Sequence, residues 1–200
     1  MMMNDFYYSE NPSSEIKEKE FTETCAGKSL RLISVSGVFS FGDRIDKASR
    51  LLIENFKPTG STVLDVGCGY GAIGLFIKSI YPEVSVAMVD INERAVKYSK
   101  LNARRNSLNV EVIKSDLYSG IESRKFQDIV TNPPIAAGKK VIERLIHESK
   151  QHLNPGGSLW LVAFHNKGGS SYKKIMQEAF NNVEDVVKKG GIRLYRSILI

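Results

Sequence analysis

Two hundred residues, 42% of them hydrophobic and 25% charged, suffice for one domain with a sizeable core and fit neither a disordered nor a fibrous chain. No apolar run approaches the roughly 20 residues of a membrane span. The N-terminus lacks a secretory pattern, and Cys25 and Cys68 form neither a disulfide framework nor a metal-ligand spacing, so a cytoplasmic protein that uses no metal is expected. The net charge of +6 comes entirely from residues 136–200, with 11 basic against 5 acidic side chains, whereas residues 1–135 balance at 17 and 17. Such a basic half is either a solvated face or a seat for a polyanion.

The first 20 residues, polar and carrying the run EIKEKE, read as an arm that is loose or ordered only on docking. FTETC and SLRLISV around Ala26-Gly27-Lys28 suit a hairpin, and Arg44 to Phe56 has helical spacing up to Lys57-Pro58. After Gly60, strand-like runs recur at STVLDV, SVAMVD, VEVIKSD, FQDIVTN and SLWLVAF, with helical patterns over Ala72–Ile80, Glu93–Asn106 and Lys139–Leu153. This alternation predicts βαβ units and a parallel sheet covered on both faces. Tyr172–Phe180 reads as a helix; VEDVV and IRLYRSILI follow as strands joined by a turn too short for a crossover, hence antiparallel.

Chemistry gathers where the predicted strands end. Val63 to Gly74 is a strand, a glycine-rich turn and a helix start, with Asp65 two residues before Gly67 and with Gly69 and Gly71 following. Gly69 to Gly74 matches G-x-G-x-x-G, yet Asp65 would repel a pyrophosphate and suit a ligand with a positive amino group; the plain alternative is a turn that binds nothing. Asp90 ends the second strand, where an acid can accept both hydroxyls of a ribose or simply cap the next helix. Asp116 ends the third strand, placed either to accept from an adenine amino group or to serve as a turn residue. Asn132-Pro133-Pro134-Ile135 closes the fourth strand as a stiff display of two acceptors, the Asn132 side-chain oxygen and the Pro133 carbonyl. That pair can take both hydrogens of a planar amino group and stabilise the charge that grows as its nitrogen attacks an electrophile.

With these residues in place the chain resembles the class I S-adenosylmethionine-dependent methyltransferases, through Asp65, Gly67, Gly69 and Gly71, Asp90, Asp116 and Asn132-Pro133-Pro134. Ser36-Gly37-Val38-Phe39-Ser40, Asp46 and Ser49-Arg50-Leu51-Leu52 make it similar, more narrowly, to the small-domain methyltransferases that modify the exocyclic amine of guanine in small-subunit ribosomal RNA. The resemblance implies an α/β fold: a doubly wound, mostly parallel seven-stranded sheet with an antiparallel C-terminal strand. It implies an N-terminal arm and hairpin (1–35) packed on the methyltransferase domain (36–200). It further implies S-adenosylmethionine held by Asp65, Gly67, Cys68, Gly69, Gly71, Asp90, Ile91, Asp116, Leu117 and Asn132, and catalysis by Asn132, Pro133, Pro134 and Ile135. RNA would meet Phe39, Ile135, Lys139 and Lys140.

Members of this group can carry a second, degenerate copy of the domain upstream, for which this chain has no room. The position after the two prolines is often aromatic and stacks on the target base; here it is Ile135, so stacking of roughly 1–3 kcal/mol per base has to come from elsewhere, with Phe39 the first candidate ahead of Tyr70 and Phe164. The alternatives are methylation of a protein glutamine amide or an adenine amine, and a non-catalytic RNA-binding module. A nicotinamide dehydrogenase ranks last, because of Asp65.

Overall fold

A computed structural model of the chain describes residues 15–133 and 138–200. Strands β1 (Glu18–Cys25) and β2 (Lys28–Val35) pair antiparallel through Ala26 and Gly27, whose φ values of 48° and 76° give the hairpin turn that matches strand twist. The charged start of β1 corrects the expectation of a loose arm reaching residue 20. Glu18 accepts a hydrogen bond from Tyr98 and Glu20 from Arg105, so partners 80 and 85 positions away hold this run extended. Residues 1–14 lie outside the described residues.

The chain continues through α1 (Lys47–Asn55), β3 (Thr62–Val66), α2 (Ala72–Ile80), β4 (Ser85–Asp90), α3 (Glu93–Arg105), β5 (Glu111–Lys114) and β6 (Phe126–Thr131). It ends with α4 (Lys139–Ser149), β7 (Leu153–Phe164), α5 (Gly169–Phe180), β8 (Glu184–Lys189) and β9 (Ile192–Ile198). One seven-stranded sheet forms in the order β5-β4-β3-β6-β7-β9-β8. The five strands from β5 to β7 run parallel, and β9 lies antiparallel between β7 and β8, as the sequence predicts. Because β3 has β4 on one side and β6 on the other, the connections leaving it part in opposite directions and open a crevice at the carboxyl ends of these strands.

Near-continuous apolar strands require cover on both faces. On one face Leu52, Phe76, Ile77, Tyr98 and Trp160 form a core that also takes Leu30, Leu32 and Ile33 of the hairpin. On the other, Leu64, Val89, Ile129 and Leu161 pack with Ile142, Ile146 and Met176 of α4 and α5. Two predicted boundaries shift. The helix expected up to Leu153 ends at Ser149, followed by one 3-10 turn, and β7 starts at Leu153 instead of Ser158. The residues around Pro155-Gly156-Gly157 stay in the strand as an irregularity in pairing with β6, held by Gly156 N–H donating to the Leu199 carbonyl at 2.7 Å.

Fully buried Asp128 ties this framework together, accepting from Thr59 N, Thr59 Oγ1 and Trp160 Nε1 at 2.7, 2.9 and 3.1 Å. Asp128→Ala strands the indole N–H in the core and should lower unfolding free energy by about 2–3 kcal/mol. Urea titration followed by the fluorescence of the single tryptophan checks this; an unchanged midpoint would show that the indole N–H finds another acceptor.

Candidate functional site

The glycine turn after β3 works because its backbone takes left-handed values at Gly67, Gly69 and Gly71 (φ 73°, 59° and 93°). Four of its amides, those of Gly67, Cys68, Gly69 and Gly71, are consumed locally. Gly67 and Cys68 N–H both donate to the Val89 carbonyl, and Gly69 N–H donates to Asp90 Oδ2 at 2.8 Å. At the start of α2, Gly74 N–H donates to Asp65 Oδ2 at 2.9 Å, so the chain supplies its own anion at this helix N-terminus. A Cβ on Gly74 would stand 2.4 Å from Met88 Sδ and 3.2 Å from that same oxygen, so helix, strand and carboxylate close up only around glycine. A pyrophosphate would meet carboxylate oxygens already on the Gly69 and Gly74 amides, which counts against the dinucleotide reading of G-x-G-x-x-G.

Three buried polar side chains hold the turn from behind, and the sequence reading passed over two of them. Ser99 Oγ donates to the Gly69 carbonyl at 2.8 Å. Asn102 donates to the carbonyls of Tyr70 and Ile33 at 2.9 and 3.0 Å and accepts from Ile33 N–H, linking turn and hairpin. Their only signal was a polar residue on the apolar side of a helical pattern. Cys68 is the third: buried, with Sγ 3.5 Å from Ser99 Oγ and its thiol pushed far up by burial.

Beyond the turn lies a cavity of about 220 Å³. Gly67, Gly69, Asp90, Ile91, Asp116, Leu117, Asn132 and Phe39, all singled out in the sequence, line it. Val38, Val66, Val89, Val141, Ile142 and Leu145 make the rest of the wall largely apolar; the α4 members read in sequence as a core stripe. Asp65, Cys68 and Gly71 sit behind the turn and off this wall. Lys139 and Lys140 are exposed at the start of α4, also off the wall, and Lys139 faces Glu143 at 3.3 Å. Pro134 and Ile135 lie outside the described residues.

The carboxylates differ in environment. Burial pushes Asp90 up to about 6, against the backbone N–H groups of Asn92, Gly69 and Ile91 that favour its ionised form. Asn92, not Asp90, caps α3, so the carboxylate is left to face the cavity. Asp65 is fully buried and pushed up to about 7 by desolvation, with help from Asp90; its Oδ1 has no partner among the described residues. Asp116 is half exposed and 3.4 Å from Arg144 Nη1. The donor set therefore fits S-adenosylmethionine: acids for its hydroxyls and positive charge, an apolar slot for a planar ring. Among the described residues no group of three His, Cys, Asp or Glu could hold a metal ion, and no helix is long and apolar enough to cross a membrane.

Asn132 follows β6, whose end is tied to β3 by Thr131 Oγ1 donating to the Val66 carbonyl at 2.9 Å. Its amide nitrogen donates to Asp46 Oδ1 at 3.2 Å and to Ser49 Oγ at 3.0 Å. Asp46 is itself fixed as the N-cap of α1, accepting from Ala48 and Ser49 N–H at 3.0 Å each. With the nitrogen committed on that side, the oxygen is the atom Asn132 has left to offer. Asn132 and Phe39 also line a second cavity of about 80 Å³, with Asp46, Pro133 and Phe164. These two residues thus stand between the two spaces. Phe39 is 37% exposed, whereas Tyr70 is buried against Phe21.

Comparison with known proteins agrees with this geometry. The methyltransferase small domain family model matches residues 29–196. An uncharacterised Bacillus subtilis protein, YbxB, is 40% identical over 199 residues and covers 98% of each chain. Ribosomal RNA small subunit methyltransferase C of Vibrio parahaemolyticus is 35% identical over 181 residues, covering 88% of this chain and 52% of that protein. A solved 16S rRNA N2 guanine methyltransferase of T. thermophilus, in complex with AdoMet and guanosine, superposes with a TM-score of 0.80 at 25% identity, over 94% of this chain and 52% of that one. The chain spans about half the length of these ribosomal RNA methyltransferases. It belongs to the methyltransferase small domain family, and its cofactor is S-adenosylmethionine.

Proposed function

We propose that this chain methylates an exocyclic amino nitrogen of guanine in ribosomal RNA, working in the cytoplasm where that substrate is made. The orientation of Asn132 carries the reading: its nitrogen is held by Asp46 and Ser49, so its oxygen is presented as an acceptor between the two cavities. Bound in the larger cavity, where Asp90, Asp116, Leu117 and Asn132 would hold it, S-adenosylmethionine would supply an activated methyl group on a positive sulfur, which would leave as the neutral thioether as the amine nitrogen takes the methyl. Asp90 takes the ribose hydroxyls, Asp116 and Leu117 border the adenine, and Asp65 sets the charge beneath the turn. Asn132 Oδ1 and the Pro133 carbonyl take the two amine hydrogens. They aim the nitrogen lone pair and stabilise the ammonium character that develops before one proton leaves to water. Phe39 gives the base a face to stack on, in place of an aromatic at Ile135.

The substrate is tested by transfer of labelled methyl to naked ribosomal RNA, assembled small subunits and a release-factor-like protein, followed by mapping of the product. Label in guanine supports the reading; label only in protein, or only in adenine, overturns it. Asn132→Ala should cut turnover by about 100- to 1,000-fold while leaving cofactor affinity within a few-fold. Asp90→Ala should weaken cofactor binding by about 10- to 100-fold in calorimetry. Burial leaves Asp90 titrating near 6 and Asp65 near 7 in the free protein, so both are largely neutral at about pH 5 and ionised at about pH 8. The ionised forms attract a sulfonium, so affinity should rise across that window, and binding should in turn pull both values down. A flat affinity profile contradicts the placement of these acids.

A further inference from the structure

The cavity beside Asn132 contains a second acceptor that methyl transfer itself does not need. Asp46 is half-buried on its wall, with Pro133, Phe39 and Phe164. Its three side-chain hydrogen bonds, from Ala48 N, Ser49 N and Asn132 Nδ2, all fall on Oδ1. Oδ2 has no partner among the described residues. Since Asn132 Nδ2 is 3.2 Å from Asp46 Oδ1, the two residues are neighbours on the wall of a space edged by Phe39 and Phe164, each with one oxygen not engaged by the other.

We infer that Asp46 is a specificity-determining residue, whose Oδ2 accepts the ring N–H beside the target amine and so restricts the site to guanine. This inference rests on the amine-methylation reading above. Two adjacent acceptors fit an edge with two adjacent donors. Guanine offers one, its exocyclic amine next to a ring N–H. Adenine and cytosine present their amines beside a ring nitrogen lone pair, and a carboxamide presents its amine beside its own carbonyl oxygen. Each of these would face a carboxylate oxygen with another acceptor, in a space where an unmatched polar contact is costly. The protein thus rejects the competing amines by lone-pair repulsion, with no need for a different pocket shape.

The test uses a methyl-accepting fragment of small-subunit ribosomal RNA with guanine at the modified position, and the same fragment carrying 2-aminopurine there. 2-Aminopurine keeps the amine but turns the ring N–H into an acceptor. The wild-type protein should favour the guanine fragment in kcat/KM by about 10- to 100-fold, the worth of a hydrogen bond to a charged group. Asp46→Asn keeps an oxygen for the helix cap and for Asn132 while placing an amide donor toward the base. It should bring the two fragments within a few-fold of each other. Ser49→Ala, which loosens Asn132 without altering the carboxylate, should slow both fragments alike and leave their ratio unchanged. Equal use of the two fragments by the wild type, which requires no variant to fold, overturns the inference. So does a ratio in Asp46→Asn equal to the wild-type one. If the wild type methylates no guanine in ribosomal RNA at all, the amine-methylation reading itself fails; if it does and the ratio stays put, only the role of Asp46 falls.

Discussion

A primary amide is ambiguous: turned one way it presents a carbonyl oxygen, turned the other way two N–H donors. The whole site depends on that ambiguity being removed at Asn132. Asp46 and Ser49 remove it, the N-cap and a first-turn residue of α1, a helix none of whose residues lines the larger cavity. The cap that starts the helix and the anchor that orients the amide are one carboxylate oxygen. Helix formation and site assembly are therefore a single event, and α1 packs onto α2 and β7 with Leu51, Leu52 and Phe56 in the core, so the anchor is as rigid as the fold.

The same economy governs the glycine turn. In phosphate-binding loops the amides point at the ligand; here Val89, Asp90 and Asp65 absorb them, and what faces the cavity is carboxylate and apolar surface. Acceptors in the place of donors suit a cation-bearing ligand better than an anion. The exchange has a cost. Asp65 is buried with one oxygen unpaired and its carboxyl raised toward neutrality, an arrangement that opposes folding in the ionised state. A positive ligand bound beyond the turn would ease that cost, tying the turn's stability to its ligand.

Much of this could be read from the residues themselves, and the parts that could not share a cause. Strands β3, β4 and β6 announce themselves as short apolar runs, each ending in Asp, Gly or Asn, and α2 matches its predicted bounds because Gly71 and Tyr81-Pro82 punctuate it locally. Asp90, Asp116 and Asn132 are legible by position alone, since the ends of parallel strands in one sheet must meet on one rim, whereas Asp65 is turned behind it. What stayed hidden is set by distant partners. The charged run at Glu18–Glu20 becomes strand through Tyr98 and Arg105. Lengthening of β7 depends on Leu199, and the orientation of Asn132 on side chains 86 and 83 positions earlier. Val141 and Leu145 look like any helix core stripe; only the third dimension shows that they face a cavity.

The basic C-terminal half is also rearranged by folding. Lys173 and Lys188 both reach Asp185, Arg196 pairs with Glu184 and lies over Trp160, and Arg144 bridges Asp116 and Glu148. These pairs occupy acids along the far sheet edge and the outer rim of the cavity, and the excess of cations over acids remains. Lys140, Lys174 and Lys189 stay exposed, without an acidic partner among the described residues. Lys28, Lys47, Lys57, Lys100 and Lys125 are likewise exposed and outside the ion pairs of the described residues, so free cations are spread over the surface, and each one that meets a phosphate adds to affinity and to salt dependence. Under the reading proposed above, such cations would hold phosphates without regard to sequence, and discrimination would come from the base, at the stacking face of Phe39 and the acceptors around Asn132. For such a substrate a nucleotide already unstacked in a loop or at a junction would be reached at the least energetic expense, because no helix has to be opened to deliver its amine.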